Sequence, residues 1–204
     1  MTHRLGQAAA QVRRVALLRG INVGGARKVP MADLRELATS LGWTEVATHL
    51  QSGNLLFTAV GSDVELSKTL TAALKKWFGM DIDVVVRTSE ELHRLVMGHP
   101  FADGDPGHVV IACCDRPVSS AAEAKLTGLA AEGERLQVVG ADIYADFPQG
   151  QARSKLAAQL VSALKPATGT ARNLRTMTKL AQMLQPGATM LPGESGPGIV
   201  GARG

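Results

Sequence analysis

Aromatic side chains are scarce in this chain: two Trp, one Tyr and four Phe among 204 residues. Modules that read single-stranded RNA stack bases on rings displayed along their strands, and so few rings leave little for such a surface. Cysteine is nearly absent as well. Cys113 and Cys114 are adjacent, and neighbours on a strand point to opposite faces, so neither a disulfide framework nor a zinc site is expected. The five histidines fall at no metal-ligand spacing; no metal and no cofactor is expected. No apolar run approaches the roughly 20 residues of a membrane helix. The first 13 residues lack the hydrophobic centre of a secretory signal and read as a flexible extension. These absences point to a cytoplasmic protein that does not engage a membrane, and they leave the oligomeric state open.

Acidic residues are missing from two long stretches. Residues 1–32 carry Arg4, Arg13, Arg14, Arg19, Arg27 and Lys28, and residues 147–193 carry Arg153, Lys155, Lys165, Arg172, Arg175 and Lys179, with no Asp or Glu in either. The segment between them holds 17 acids against nine bases, a balance of −8. If the fold brings the two acid-free stretches together, they form one positive surface; otherwise they are solvated charge.

What is present repeats in order. Arg14 to Arg19 reads as a strand apolar on both faces and therefore central. A helix follows from near Pro30, with Met31, Leu34, Leu37, Ala38 and Leu41 at helical spacing and Gly42 past its end. Thr44 to Gln51 and Asn54 to Ala59 read as a hairpin around the two turn residues Ser52-Gly53, with Gln51 opposite Asn54. The capping box Ser62-x-x-Glu65 opens a helix, and Asp81 to Arg87 is a fourth strand. Thr88-x-x-Glu91 then caps a connecting helix. The pattern restarts with a strand at His108 to Cys114, a helix from Ser120 and a hairpin around Gly140. A helix carrying Leu156, Leu160 and Leu164, a short strand near Thr168 to Ala171 and a last helix complete it.

The expected class is α+β, a duplicated ferredoxin-like fold of two βαββαβ halves with a connecting helix and a C-terminal helix. The divisions are residues 1–13 as the extension, 14–87 as the first half and 88–106 as the connection. Residues 107–185 form the second half with its last helix, and the glycine- and proline-rich 186–204 form a disordered tail.

The wording of several segments is specific. Arg19-Gly20-Ile21-Asn22-Val23-Gly24-Gly25, then Met31, Leu34 and Leu37, then Gln51-Ser52-Gly53-Asn54, then Arg172-Asn173 together resemble the bacterial family called domain of unknown function 1697. The resemblance runs from about Val15 to Leu184 and also falls on Arg87, Pro100-Phe101, Tyr144, Ser154, Lys155 and Thr170. It implies a fold and a set of characteristic positions, but no reaction.

In a βαββαβ half, the loop after the first strand and the hairpin between the second and third lie at one edge of the sheet. That collects Arg19, Asn22, Gln51, Ser52 and Asn54, with Gly24 and Gly25 allowing close backbone approach to a ligand. The alternative is that the glycines only permit a sharp loop and that Asn54 locks the hairpin. In the second half, Ser154-Lys155 and Arg172-Asn173 are expected at helix starts, where cations oppose the macrodipole and an anion would relieve them. Exposed, screened charge is the alternative. Ser154 beside Lys155 is not read as a nucleophile, because helical neighbours diverge by about 100°. Arg87, placed at the opposite edge, is expected to be structural.

The leading expectation is a small phosphorylated or otherwise anionic ligand held between the halves. Sequence-blind nucleic-acid binding and a non-catalytic interaction protein are the alternatives. Whether the chain is an enzyme is left open.

Overall fold

The computed structural model describes residues 10–24 and 27–185. Gly25, most of the expected N-terminal extension and the expected tail lie outside the described residues.

The first half runs β1 (Val12–Leu18), α1 (Met31–Ser40), β2 (Thr44–His49), β3 (Asn54–Ala59), α2 (Asp63–Phe78), β4 (Val84–Thr88) and α3 (Ser89–Met97). The second runs β5 (Val109–Cys114), α4 (Ser120–Thr127), β6 (Arg135–Val139), β7 (Asp142–Asp146), α5 (Lys155–Gln159), a 3-10 turn (Ser162–Leu164), β8 (Gly169–Asn173) and α6 (Leu174–Met183). The fold is α+β, with two four-stranded sheets ordered β2-β3-β1-β4 and β6-β7-β5-β8. Every strand pairing in both is antiparallel.

The apolar runs explain the central strands. Alternate residues of β1 enter two different cores: Val15 and Leu17 join one cluster, Ala16 and Leu18 another. Cys113 and Cys114 part in the same way, both fully buried and both free thiols. The outer face of the first sheet packs under α1 and α2, where Trp43 stacks on Phe57 with centroids 4.0 Å apart. The outer face of the second packs under α4 and α5.

The inner faces share one core. Val15, Leu17, Leu56 and Val85 from the first sheet and Val109, Ile111, Cys113 and Tyr144 from the second meet Leu92, Leu95 and Val96 of α3 and Leu174, Met177 and Leu180 of α6. The Tyr144 hydroxyl, on β7, donates to the Leu95 carbonyl of α3 at 3.3 Å. Arg13 of β1 donates to the Met183 carbonyl of α6 at 3.3 Å. The helix closing each half therefore packs against the other half. Truncating Met177 to Ala would cost about 2–5 kcal/mol, as for other buried large-to-small changes.

Two capping signals match the sequence residue for residue. The boxes Ser62–Glu65 and Thr88–Glu91 both close reciprocally. The cap of α4 is Ser119, one residue before the expected start. The first hairpin corrects the expected register: His49, not Gln51, lies opposite Asn54, and four residues, Leu50 to Gly53, make the turn. Two left-handed residues allow the wider turn, Leu50 at φ 59 and Gly53 at φ 83. A Cβ on Gly53 would fall 2.7 Å from Ile21 and 2.9 Å from Leu18, so only glycine fits there. Asn54 seals the turn by donating to the His49 carbonyl at 2.7 Å.

Candidate functional site

The turn Leu50–Gly53 is the point where loop, hairpin and second half converge. Three of its four carbonyls, those of Gln51, Ser52 and Gly53, accept hydrogen bonds from outside the turn. Gln51 O accepts from Asn22 Nδ2 at 2.8 Å. Ser52 O accepts from Arg172 Nη2 at 2.8 Å. Gly53 O accepts from Leu18 N at 2.8 Å and from Arg172 at 3.2 Å. One of these donors, Arg172, carries a full charge.

The helix expected to start near Arg172-Asn173 does start there, at Leu174, but Arg172 itself precedes the cap. It sits on β8, and Asn173 is the extended N-cap of α6, its side-chain oxygen accepting from Thr176 N at 2.9 Å. The Arg172 side chain therefore does not oppose the α6 dipole; it crosses to the first half. Nε donates to Asn54 Oδ1 and Nη2 to the Leu18 carbonyl, both at 2.7 Å. Nη1 donates to Thr170 Oγ1 at 2.9 Å and to the Ala171 carbonyl at 2.8 Å. All of these acceptors are neutral. Among the described residues no carboxylate forms an ion pair with it. Burial pushes the guanidinium down to about 10, so it stays charged at neutral pH.

Arg87 occupies the matching place in the first half. Each arginine is the fourth residue of a five-residue strand whose successor, or its own end, caps the following helix. Arg87 donates to the Val86 carbonyl at 3.0 Å and crosses to the Cys114 carbonyl at 2.7 Å. Its fork also reaches Asp142 Oδ1 at 3.0 Å. Leu18 ends β1 as Cys114 ends β5, and Asn54 opens β3 as Asp142 opens β7. The halves exchange arginines in the same way, but one lands on a carboxylate and the other on an amide. Burial raises the Asp142 carboxyl above its ordinary range, and Arg87 pulls it back only in part.

The remaining expected residues divide. Asn22, at φ 55, is an internal staple: its amide donates to Val29 O and accepts from Val29 N, both at 2.9 Å. Arg19 turns to Asp83 in an exposed pair at 3.2 Å, the kind of contact that contributes about 0–1 kcal/mol. Gly24 adopts φ 61 with open space where a side chain would begin, so its conformation rather than crowding calls for glycine. Gln51 and Ser52 are exposed at the turn.

An open depression of about 370 Å³ beside that turn is lined by Asn22, Lys28, Val29, Pro30 and Gln51. Lys28 was not singled out in the sequence; the only signal for it was membership of the acid-free N-terminal stretch. Ser154 and Lys155 are not part of this cluster. Ser154 caps the short helix α5 by accepting from Ala157 N at 2.9 Å. Lys155 lines a different depression, of about 390 Å³, with Arg153 and Gly128 to Ala131.

Comparison with known proteins agrees with this architecture. The model of the family described as protein of unknown function (DUF1697) matches residues 12–144. That span includes Arg19, Asn22, Gln51, Asn54 and Arg87 and ends before Ser154, Lys155, Arg172 and Asn173. No curated protein matches the chain. A solved structure of a conserved bacterial protein from Streptococcus pneumoniae is similar, with a TM-score of 0.68 at 24% identity over 86% of this chain and 99% of that one. At that identity the likeness concerns the fold alone.

Proposed function

The chain belongs to the DUF1697 family of proteins of unknown function, and from its own geometry we propose that it binds a small phosphorylated or otherwise anionic ligand at the edge where the halves meet. The observation that carries this reading is the Arg172 charge, held among neutral acceptors while its counterpart Arg87 has Asp142. Lys28, exposed beside the same turn, adds to the positive potential at that edge. An anion docking there supplies the countercharge that Asn54 does not.

Each half is read as ferredoxin-like, residues 14–87 and 107–185 joined through 88–106. The shared element order and strand order support this. Two buried free thiols support a cytoplasmic setting. No helix among the described residues is long and apolar enough to cross a membrane. Nucleic acid ranks second, because both faces of both sheets carry core residues and Phe57 is buried against Trp43.

The test is thermal unfolding in rising phosphate at constant ionic strength. At a hundred times the dissociation constant the gain is about 2.7 kcal/mol, or roughly 5–10 °C for a chain of this size. Lys28→Glu, an exposed change, should remove the shift and leave the ligand-free Tm unaltered. A shift that never saturates, or one that survives Lys28→Glu, would overturn the reading.

A further inference from the structure

Four strands lie at sheet edges, β2 and β4 in the first half and β6 and β8 in the second. An open edge presents a row of unpaired N–H and C=O groups, which folded proteins cover or blunt. Three of the four edges are managed in this way. β4 and β8 lie against each other where the halves meet, and Arg87 and Arg172 cross from them. β2 is broken by a bulge between Thr44 and Ala47, where Glu45 sits at φ 49 with its carboxylate paired to Arg13 at 3.0 Å. Bulges and charged side chains are ordinary devices against edge pairing.

β6 has neither. Its five residues pair with β7 in unbroken register, from Arg135 opposite Asp146 to Val139 opposite Asp142. Alternate residues of such a strand turn their N–H and C=O groups away from the partner. Among the described residues no hydrogen bond outside the β7 ladder reaches the β6 backbone. The one charge on the strand, Arg135, is closed within its own chain by Asp146 at 2.6 Å and Asp103 at 2.9 Å. Leu136 and Val138 pack against the core under α4 and α5 but stay only partly buried, and Gln137 and Val139 are exposed.

We propose that β6 pairs antiparallel with β6 of a second copy of this chain, about a two-fold axis at Gln137, and so joins two four-stranded sheets into one. The strand is matched to itself in that register. Leu136 meets Val138 of the second copy on both sides of the axis, which carries the core under α4 and α5 across the joint. Gln137 meets its own counterpart, an amide that both donates and accepts. Arg135 meets Val139, so no like charges are opposed. An extended peptide of other sequence would gain the same backbone bonds without these matched side chains. The two-fold closes the edge in both copies at once. A joint of five residues is small, so the dimer is weak and depends on concentration.

Sedimentation velocity of the full chain over a wide range of concentration tests this, using the wild type, Gln137→Lys and Gln137→Glu. The wild type should pass from monomer to dimer mass as concentration rises. Either variant alone opposes like charges on the axis and should weaken association about tenfold or more. The monomer Tm should hold in both, because Gln137 is exposed. An equimolar mixture of the two variants should associate again, since Lys then faces Glu. A chain that stays monomeric at every concentration would overturn the pairing and leave the edge to an extended peptide. Association that both variants retain would overturn it as well, by moving the contact to another surface. A mixture that fails to recover what each variant loses would refute the two-fold register.

Discussion

Two arginines cross between the halves of this protein, and one meets a carboxylate where the other meets an amide. Arg87 reaches the end of β5 and meets Asp142; Arg172 reaches the end of β1 and meets Asn54. The first bridge is a closed pair whose charges cancel inside the fold. The second has the two matching backbone acceptors, adds the Ser52 and Gly53 carbonyls, and has no carboxylate partner among the described residues. Buried pairs contribute little net stability, because desolvation offsets attraction, whereas removing one partner is costly. The comparison therefore separates a bridge closed by a carboxylate from one whose charge is met by neutral acceptors alone.

The largest effect expected is from Arg87→Ala, which strands a half-buried carboxylate and should cost about 3–5 kcal/mol at neutral pH. The sign of its pH dependence follows from Asp142. The folded Asp142 carboxyl titrates above its unfolded value, and losing Arg87 raises it further. Stability is then full below the unfolded pKa and is lost as pH rises through the folded one. Urea unfolding should accordingly show the mutational penalty shrinking towards acid pH; a pH-independent penalty would contradict the pairing. Arg172→Ala should cost less, about 1–3 kcal/mol, because it orphans only neutral acceptors. That loss should not change across the carboxylate range, and denaturant titration at two pH values would show it. Asp142→Asn makes the first bridge resemble the second and should cost only about 1 kcal/mol, read from the same titrations. The smallest effect concerns the thiols. Burial pushes Cys113 and Cys114 up, Cys114 to about 12, so neither should react with a thiol reagent in the native state. Rapid modification of Cys114, whose carbonyl receives Arg87, would show that the first bridge opens.

Much of the fold was legible in the sequence because its signals are local. Ser62–Glu65 and Thr88–Glu91 state their helix starts within four residues, and β1 declares itself central by an apolar run. The hairpin register was misread because Ser52-Gly53 mimics a two-residue turn, while the left-handed Leu50 that widens the turn breaks the usual preference. Asn22, Gln51, Ser52 and Asn54 lie together at one edge of the first half, as its topology implied, and Arg172 reaches them from the second half, a meeting that the topology of either half left open. Their partners were not legible. Arg172 finds its first-half acceptors 118 to 154 residues away, and Arg19 finds Asp83 64 residues away. Nor did the sequence distinguish Arg172 on a strand from Arg172 in a helix, since the capping residue Asn173 is the boundary itself.

The most direct measurement is an NMR titration of the isotope-labelled protein with phosphate at fixed ionic strength, following backbone amides and the Arg172 Nε–H. Saturable shifts confined to Asn22, Lys28, Gln51, Ser52 and Arg172 are the predicted result. Shifts that never saturate, or that centre instead on Gly128 to Ala131 and Arg153, would contradict the account.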